Sequence, residues 1–375
     1  MANYFAFKTY MPNMASTNRV MAFVRGFSEL GINLTVCFFS PDSSLSKVQT
    51  SYPGIRFEYL WDTANGKQLR VVTKIKALLS FIRTLKRGDR VYIYGFPLLL
   101  RILIKIKRIS VYYEIDECPD VSLPKSTFLN INSTQFVRYC KKAAGVRVIS
   151  QQLKEYFVER GVDEAKISIV NMVVDSTRFE GIKKRNNIEP YIAYCGTASN
   201  NKDGVDLLIK SFSIIAKKYP SYRLYIIGRA PDSNQTYSNF QLVKDLGIEC
   251  QVVFTGEVAA SDMPQLLKDA SVLALERPDN LQAKYGFPTK LGEYLLTGNV
   301  VVITNVGDIA HFLSDGESAL IAQPGDIKEF AEKLEFAIEN PEKMREIGEN
   351  GRFIAELHFN YFTESKKLAD SMSMA

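Results

Sequence analysis

Histidine is almost missing from this chain of 375 residues: His311 and His358 are the two present, too far apart in sequence to suggest a shared metal site. No other group of ligand-type residues has metal-binding spacing, so no metal is expected. Cysteine is scarce as well. The five, Cys37, Cys118, Cys140, Cys195 and Cys250, are odd in number, widely spaced and mostly set in apolar strand-like runs. That excludes a disulfide framework or a zinc site and points to buried thiols in a reducing compartment. Uninterrupted apolar runs of the roughly 18 residues that a membrane span needs do not occur. The first residues, "MANYFAFKTYMPNMAS", lack the charged and apolar regions of an export signal, so a cytoplasmic chain is expected.

Apolar residues make up 46% of the chain and no segment is low in complexity, which favours two cores, because one core rarely grows past about 250 to 300 residues. The net charge of +6 is modest but uneven: residues 74–108 hold ten Lys or Arg and one acid, Asp89. Within that tract "KIKALLSFIRTLKR" sets Ile75, Leu78, Leu79, Ile82 and Leu85 at helical spacing beside Lys74, Lys76, Arg83, Lys86 and Arg87. Such a face suits an anionic membrane surface; it equally suits a surface helix with an inward apolar stripe and a solvated basic side. Nucleic acid is not expected, since no recognition motif accompanies the charge.

Strand-like runs rich in Val, Ile, Tyr and Phe alternate with helical patterns: "LTVCFFS", "RVYIYGF", "SVYYEID", "GVRVIS" and "ISIVNM" in the first half, "YIAYCG", "RLYIIG", "CQVVFTG", "SVLALE" and "NVVVIT" in the second. Strands with so little alternation are covered on both faces, as in a parallel sheet. The polar stretch "GIKKRNNIEP" at 181–190 reads as the linker. The expectation is therefore an α/β protein of two doubly wound, Rossmann-like domains in tandem, residues 1–183 and 187–359, with a last helix at about 360–375 packing back on the first.

Ligands of such sheets bind where strands lead into helix starts. In "YGFPTKLGEYLLTG" Pro288 suits a first turn, Gly298 a C-terminal cap, and Leu291, Tyr294 and Leu295 an inward stripe, predicting a helix over 288–297. Lys290 then sits in the first turn, where a cation opposes the helix dipole unless an anion lies ahead of it. The pattern recurs in "YCGTASNNKDGVDLLIKSF", where a strand ends at Gly196 and Lys202 precedes a helix begun at Asp203 and Gly204. Two lysines at two helix starts of one sheet suggest a diphosphate; the other reading is a pair of surface lysines. Glu293, three residues on from Lys290, is placed either to accept hydrogen bonds from sugar hydroxyls or to form an ion pair with Lys290 itself.

These motifs resemble, over most of the second half, the nucleotide-binding domain of GT-B glycosyltransferases of family 4: "GTASNNKDGVDLLIKSF", "LYIIG", "VVFTGEV", "GFPTKLGEYLLTGNVVVITNVGDI" and "ESALIAQPGD" follow the family's order and spacing. "YYEIDECP", "GVRVIS" and "KISIVNMVVDSTRF" add weaker matches in the first half. The resemblance implies two domains facing a central cleft and retaining transfer of a sugar from a nucleotide diphosphate sugar to an acceptor held by the first domain. It implies that Lys202 neutralises the diphosphate, that Glu293 holds the ribose, that main-chain N–H groups around Thr289 and Lys290 approach phosphate, and that the loop at Gly256 and Val258 borders the base. Gly196, Gly228, Tyr285, Gly286 and Phe287 complete the implied substrate-binding set, and no metal or other cofactor is implied.

Four departures from the family pattern stand out. Tyr285 replaces the first acid of the paired-glutamate motif. An arginine that shortly precedes the phosphate lysine in the family is missing from "GTASNNK", with Arg229 or Arg277 as electrostatic substitutes. The glycine-rich loop after the first strand is replaced by "MPNMASTNR". A family histidine aligns with Asp116, expected on the catalytic side with Lys202 and Lys290, either to orient an acceptor hydroxyl or to contact the transferred sugar; as an alternative it caps the adjacent loop. Strand alternation sets Glu114 and Asp116 to one side and Glu117 to the other. Cytoplasmic thiols, the basic tract and the resemblance together predict peripheral contact with the inner face of a membrane and a lipid-linked saccharide acceptor in surface polysaccharide assembly. The rival readings are a sugar-nucleotide epimerase of related fold and a non-catalytic nucleotide-sugar-binding homologue.

Overall fold

The computed structural model describes residues 1–7, 15–39, 48, 50–60, 71–123, 131–229 and 233–374. Residues 11–14 of "MPNMASTNR" lie outside them. Two compact units form, Met1–Val174 together with Tyr361–Ala375, and Asp175–Asn360.

The first unit carries seven strands: β1 (Asn3–Phe7), β2 (Leu34–Phe38), β3 (Ile55–Tyr59), β4 (Arg90–Tyr94), β5 (Ser110–Ile115), β6 (Gly145–Val148) and β7 (Ile167–Ile169). Every pairing is parallel, in the order β3-β2-β1-β4-β5-β6-β7. The runs read as strands in the sequence are strands. β1 is the first strand implied ahead of "MPNMASTNR", whereas β3 was not anticipated, because it is a half-exposed edge strand without a continuous apolar signature. The helix Tyr361–Ser371 lies on the helix Ala15–Glu29, with Tyr361 Oη donating to Glu29 and Arg147 donating to Ser371 O at 3.1 Å.

The second unit repeats the plan with six parallel strands: β8 (Tyr191–Cys195), β9 (Arg223–Ile227), β10 (Val252–Gly256), β11 (Val272–Leu275), β12 (Val301–Thr304) and β13 (Leu320–Ala322), ordered β10-β9-β8-β11-β12-β13. β8, β11, β12 and β13 are buried throughout, as strands covered by helices on both faces must be.

Two expectations need correction. The stretch 181–190 is docked on the second unit, and the chain passes between units at Val174 and Asp175. Its polarity serves fixed contacts: Lys184 Nζ donates to Ala270 O at 2.8 Å, and Arg185 donates through N and Nε to Asp269 at 2.8 and 2.7 Å. In the helix Val71–Thr84 the inward residues are Phe81 and then Leu85 just beyond it, with Leu78 and Ile82 half-buried. Ile75 and Leu79, which the surface-helix reading turns inward and the membrane reading does not, are 51% and 46% exposed, and with Val72 at 62% they form a second apolar line on the outer side. Four cysteines are buried as free thiols, while Cys250 is exposed.

Candidate functional site

In the second sheet β8 and β11 are neighbours from which the chain winds outward in opposite directions, the arrangement that opens a ligand crevice at the carboxyl ends of the strands. β8 ends at Cys195 and is followed by Gly196; β9 ends at Ile227 and is followed by Gly228. A Cβ on Gly228 would lie 2.2 Å from Gly196 O, and its φ of +120° also demands glycine. The two strand ends therefore close on each other through backbone alone.

After Gly196 comes a single short helix, Asn200–Asp203, capped by Ser199 Oγ, which accepts from Lys202 N at 3.1 Å. Gly204 ends it with φ of +62°, and a Cβ there would meet Glu276 O at 2.0 Å. The long helix Val205–Ala216 starts only afterwards. Lys202 thus precedes the long helix as predicted, but it sits within a short helix of its own, and the long helix begins at Val205 instead of Asp203. The second predicted helix runs Lys290–Leu296, shorter than 288–297, with Thr289 as an N-cap that makes no side-chain cap bond.

Lys290 reaches back from this helix to the strand ends. Its Nζ donates to Asp203 Oδ2 at 2.6 Å and to Tyr194 Oη at 2.9 Å, so near Gly196 that a Cβ there would lie 2.5 Å away. Tyr194 Oη is itself 2.8 Å from Asp203 Oδ2 and 2.7 Å from Thr197 O. From the end of β11, the buried Arg277 sets Nε 4.0 Å from Asp203 Oδ1 and donates to Lys202 O at 3.4 Å. Desolvation works to raise the Asp203 pKa, but the Lys290 ammonium and Arg277 hold the carboxyl below its usual range. Burial lowers the Lys290 pKa, Asp203 counteracts that, and the Lys202 charge is near enough to lower it further. Three cations and one carboxylate therefore share the switch point, an excess of positive charge suited to an anion.

Glu293 pairs with neither Lys290 nor solvent alone: Arg178, in the 3-10 turn Ser176–Phe179, donates to its Oε1. Tyr294 Oη accepts from Cys195 N at 2.6 Å and ties the helix Lys290–Leu296 to the end of β8. Of the two arginines weighed as substitutes, Arg277 belongs to the cluster, whereas Arg229 is exposed, with Nε 3.4 Å from Glu257 Oε1. Gly256 is the last residue of β10 and is exposed, and Val258 just beyond it is half-buried. Tyr285 is half-buried in the last turn of the helix Leu281–Tyr285, Gly286 is buried, and Phe287 packs edge-on against Phe312 at 5.5 Å, a core position. Asp203, Tyr194 and Arg178 were not singled out as site residues. An acid directly after Lys202 was the available signal for the first; nothing local marked the others.

In the first unit, Glu114 and Asp116 lie side by side as alternation predicted, each facing a tyrosine of β4: Tyr92 Oη donates to Glu114 Oε2 and Tyr94 Oη to Asp116 Oδ2, both at 2.5 Å. Arg19 Nε donates to Glu114 Oε1 at 2.6 Å, a fully buried pair. Asp116 is half-buried, and its pKa is raised by desolvation, against the Tyr94 hydrogen bond. Among the described residues no group of three or more His, Cys, Asp or Glu is placed to hold a metal ion, and no helix is long and apolar enough to cross a membrane.

Residues 175–353, somewhat less than half of the chain, match the model of the glycosyl transferases group 1 family. Mannosylfructose-phosphate synthase of Agrobacterium fabrum is 34% identical over 161 residues, 41% of this chain and 34% of that protein. The capsular polysaccharide biosynthesis glycosyltransferase CapM of Staphylococcus aureus is 27% identical over 248 residues, 58% of each chain. These curated relatives are thus spanned over about a third to somewhat more than half of their length. Anabaena HepE in complex with UDP superposes over 100% of both chains with a TM-score of 0.77 at 19% identity. Sucrose-phosphate synthase from Thermosynechococcus elongatus covers 99% of this chain, and the match 98% of that one, with a TM-score of 0.74 at 15% identity. The two parallel α/β units therefore have GT-B glycosyltransferases as structural neighbours.

Proposed function

We propose that this protein is a retaining glycosyltransferase of family 4 that moves a sugar from a nucleotide diphosphate sugar to a saccharide acceptor. The observation that carries this reading is the excess of cations at the β8/β11 switch point: Lys290 and Arg277 about Asp203, with the Lys202 charge close enough to act on Lys290. A diphosphate neutralises that excess. The UDP and UDP-glucose bound in the HepE structures make uridine nucleotides the first donors to test.

In the reaction the acceptor oxygen bonds to the anomeric carbon as the bond from that carbon to the diphosphate oxygen breaks, on the same face, and the acceptor proton passes to the leaving phosphate. Lys202 and Lys290 stabilise the negative charge that grows on the diphosphate, and Arg277 adds field from behind Asp203. Glu293 receives the ribose hydroxyls, with main-chain N–H groups at Thr289 and Lys290 toward phosphate and the loop at Gly256 and Val258 beside the base. Asp116 serves the acceptor hydroxyl or the transferred sugar. No metal is invoked, because side-chain cations supply the countercharge.

A lipid-linked acceptor in surface polysaccharide assembly fits the outer line of Val72, Ile75 and Leu79, flanked by the exposed Lys76, Arg83, Lys86 and Arg87. The function of CapM is consistent with that setting. Incubation of the protein with labelled donor sugars, with and without acceptor lipid extracts, tests the reading. Acceptor-dependent label transfer is expected, reduced about 100-fold or more in Lys202→Ala, the scale of one transition-state charge contact. A free epimerised sugar nucleotide made without acceptor would assign the epimerase activity instead, and binding without any turnover the non-catalytic role.

A further inference from the structure

The cluster at the switch point contains a carboxylate that a diphosphate site has no obvious need of. Asp203 is 3% exposed and faces two cations, Lys290 Nζ at 2.6 Å and Arg277 Nε at 4.0 Å. A carboxylate beside phosphate repels it, so its presence asks for a reason.

We infer that Asp203 is a positioning residue, which aims the Lys290 ammonium at the carboxyl ends of β8 and β11 and keeps it available to the donor diphosphate. This rests on the nucleotide-sugar reading and deepens it. Three observations support it. Lys290 begins a helix on one side of the crevice, yet its ammonium lies against Gly196 on the other, drawn across by Asp203 and Tyr194. An ammonium has three donors, and Asp203 and Tyr194 take two, which leaves one for a phosphate oxygen. Gly204 and Ser199 fix the short helix that presents Asp203, and Tyr194 braces its Oδ2 at 2.8 Å, so the carboxylate is rigidly held.

The groups acting on Lys290 are Asp203 and Lys202 from the short helix and Tyr194 and Cys195 from β8, with Arg277 of the β11 end acting on Asp203. Asp203 is the one carboxylate among them. Burial and Lys202 push Lys290 toward the neutral amine, and Asp203 opposes both. Without it, Lys290 would lose its proton at lower pH and Arg277 would face another cation unscreened.

Calorimetric titration of the wild-type protein from pH 6 to pH 9 with UDP, GDP and ADP, each beside its nucleoside, identifies the diphosphate to use. With that probe, Asp203→Asn is expected to weaken diphosphate binding about tenfold or more while the nucleoside stays within about twofold, the scale of one charge-assisted hydrogen bond. The pH above which diphosphate affinity declines should move down in Asp203→Asn and return partly in Asp203→Glu. Because Asp203 acts through Lys290, the double variant Asp203→Asn with Lys290→Met, which removes both buried charges, should bind like Lys290→Met alone. An Asp203→Asn protein with the wild-type diphosphate-to-nucleoside ratio and pH profile, or losses that add in the double variant, would overturn the inference and leave the donor site standing. If none of the three diphosphates binds the wild type, the nucleotide-sugar reading fails and this inference with it.

Discussion

Arg178 donates a charge-assisted hydrogen bond to Glu293 Oε1, joining residues 115 positions apart. The two side chains are 25% and 19% exposed, so the pair sits at a solvent edge where its net contribution to stability is about 1 kcal/mol or less. Its larger effect is geometric. With one carboxylate oxygen engaged by Arg178, Glu293 is restrained in its rotamer.

Arg178→Gln is therefore expected to raise the donor KM severalfold while kcat stays within about twofold and the melting temperature shifts by a few degrees at most. Initial-rate kinetics with saturating acceptor check this. A loss confined to kcat would remove Arg178 from donor binding.

Glu276 gives a pH prediction. It is fully buried just after β11, its pKa is pushed up to about 8 mainly by desolvation, and its Oε2 has no hydrogen-bond partner among the described residues. Ser211 Oγ lies 3.0 Å from Oε1 and 3.1 Å from Ile327 O. One hydroxyl proton cannot serve both, but a protonated Glu276 donating to Ser211, which donates to Ile327 O, satisfies the chain. Since the folded pKa lies above the unfolded value of 4.5, the proton binds the folded state more tightly. The stability it confers is complete below 4.5 and falls as pH rises toward 8, by up to about 1.4 kcal/mol per pH unit. Glu276→Gln should raise the melting temperature at pH 8.5 relative to wild type and change it little at pH 5. Equal shifts at both pH values would show that Glu276 does not titrate in this range.

The outer line on the helix Val71–Thr84 predicts lipid binding. Flotation with anionic vesicles at low salt should recover the protein, recovery should fall with salt over the range where the Debye length shrinks below about 10 Å, and Ile75→Ser with Leu79→Ser should abolish it. Both side chains are about half exposed, so the variant keeps its fold. Flotation equal to wild type would shift the contact elsewhere, and no flotation of the wild type would remove it.

Much of this was legible in the sequence because parallel strands buried on both faces leave continuous apolar runs, as in "SVLAL" before Arg277 and "NVVVIT" after Gly298. Lys290 was legible in the first turn of a helix because Pro288 and Gly298 bracket that helix, although the helix itself starts at Lys290. What Lys290 touches was not. Asp203 is 87 residues away, and the contact exists only because β8 and β11 are neighbours, a fact of strand order that local patterns do not contain. Arg178 was hidden for the same reason. The outward turn of Ile75 and Leu79 escaped because an apolar residue at helical spacing reads alike whether it faces a core or an interface.

Thermal unfolding of the native protein with a panel of UDP-, GDP-, ADP- and CMP-sugars probes whether a diphosphate docks between Lys202 and Lys290. One member should stabilise the protein by about 2.7 kcal/mol at a hundred times its dissociation constant, and Lys290→Met and Lys202→Ala should each lose most of that gain. A panel that leaves the unfolding curve unmoved, or a gain that both lysine variants retain in full, would contradict it.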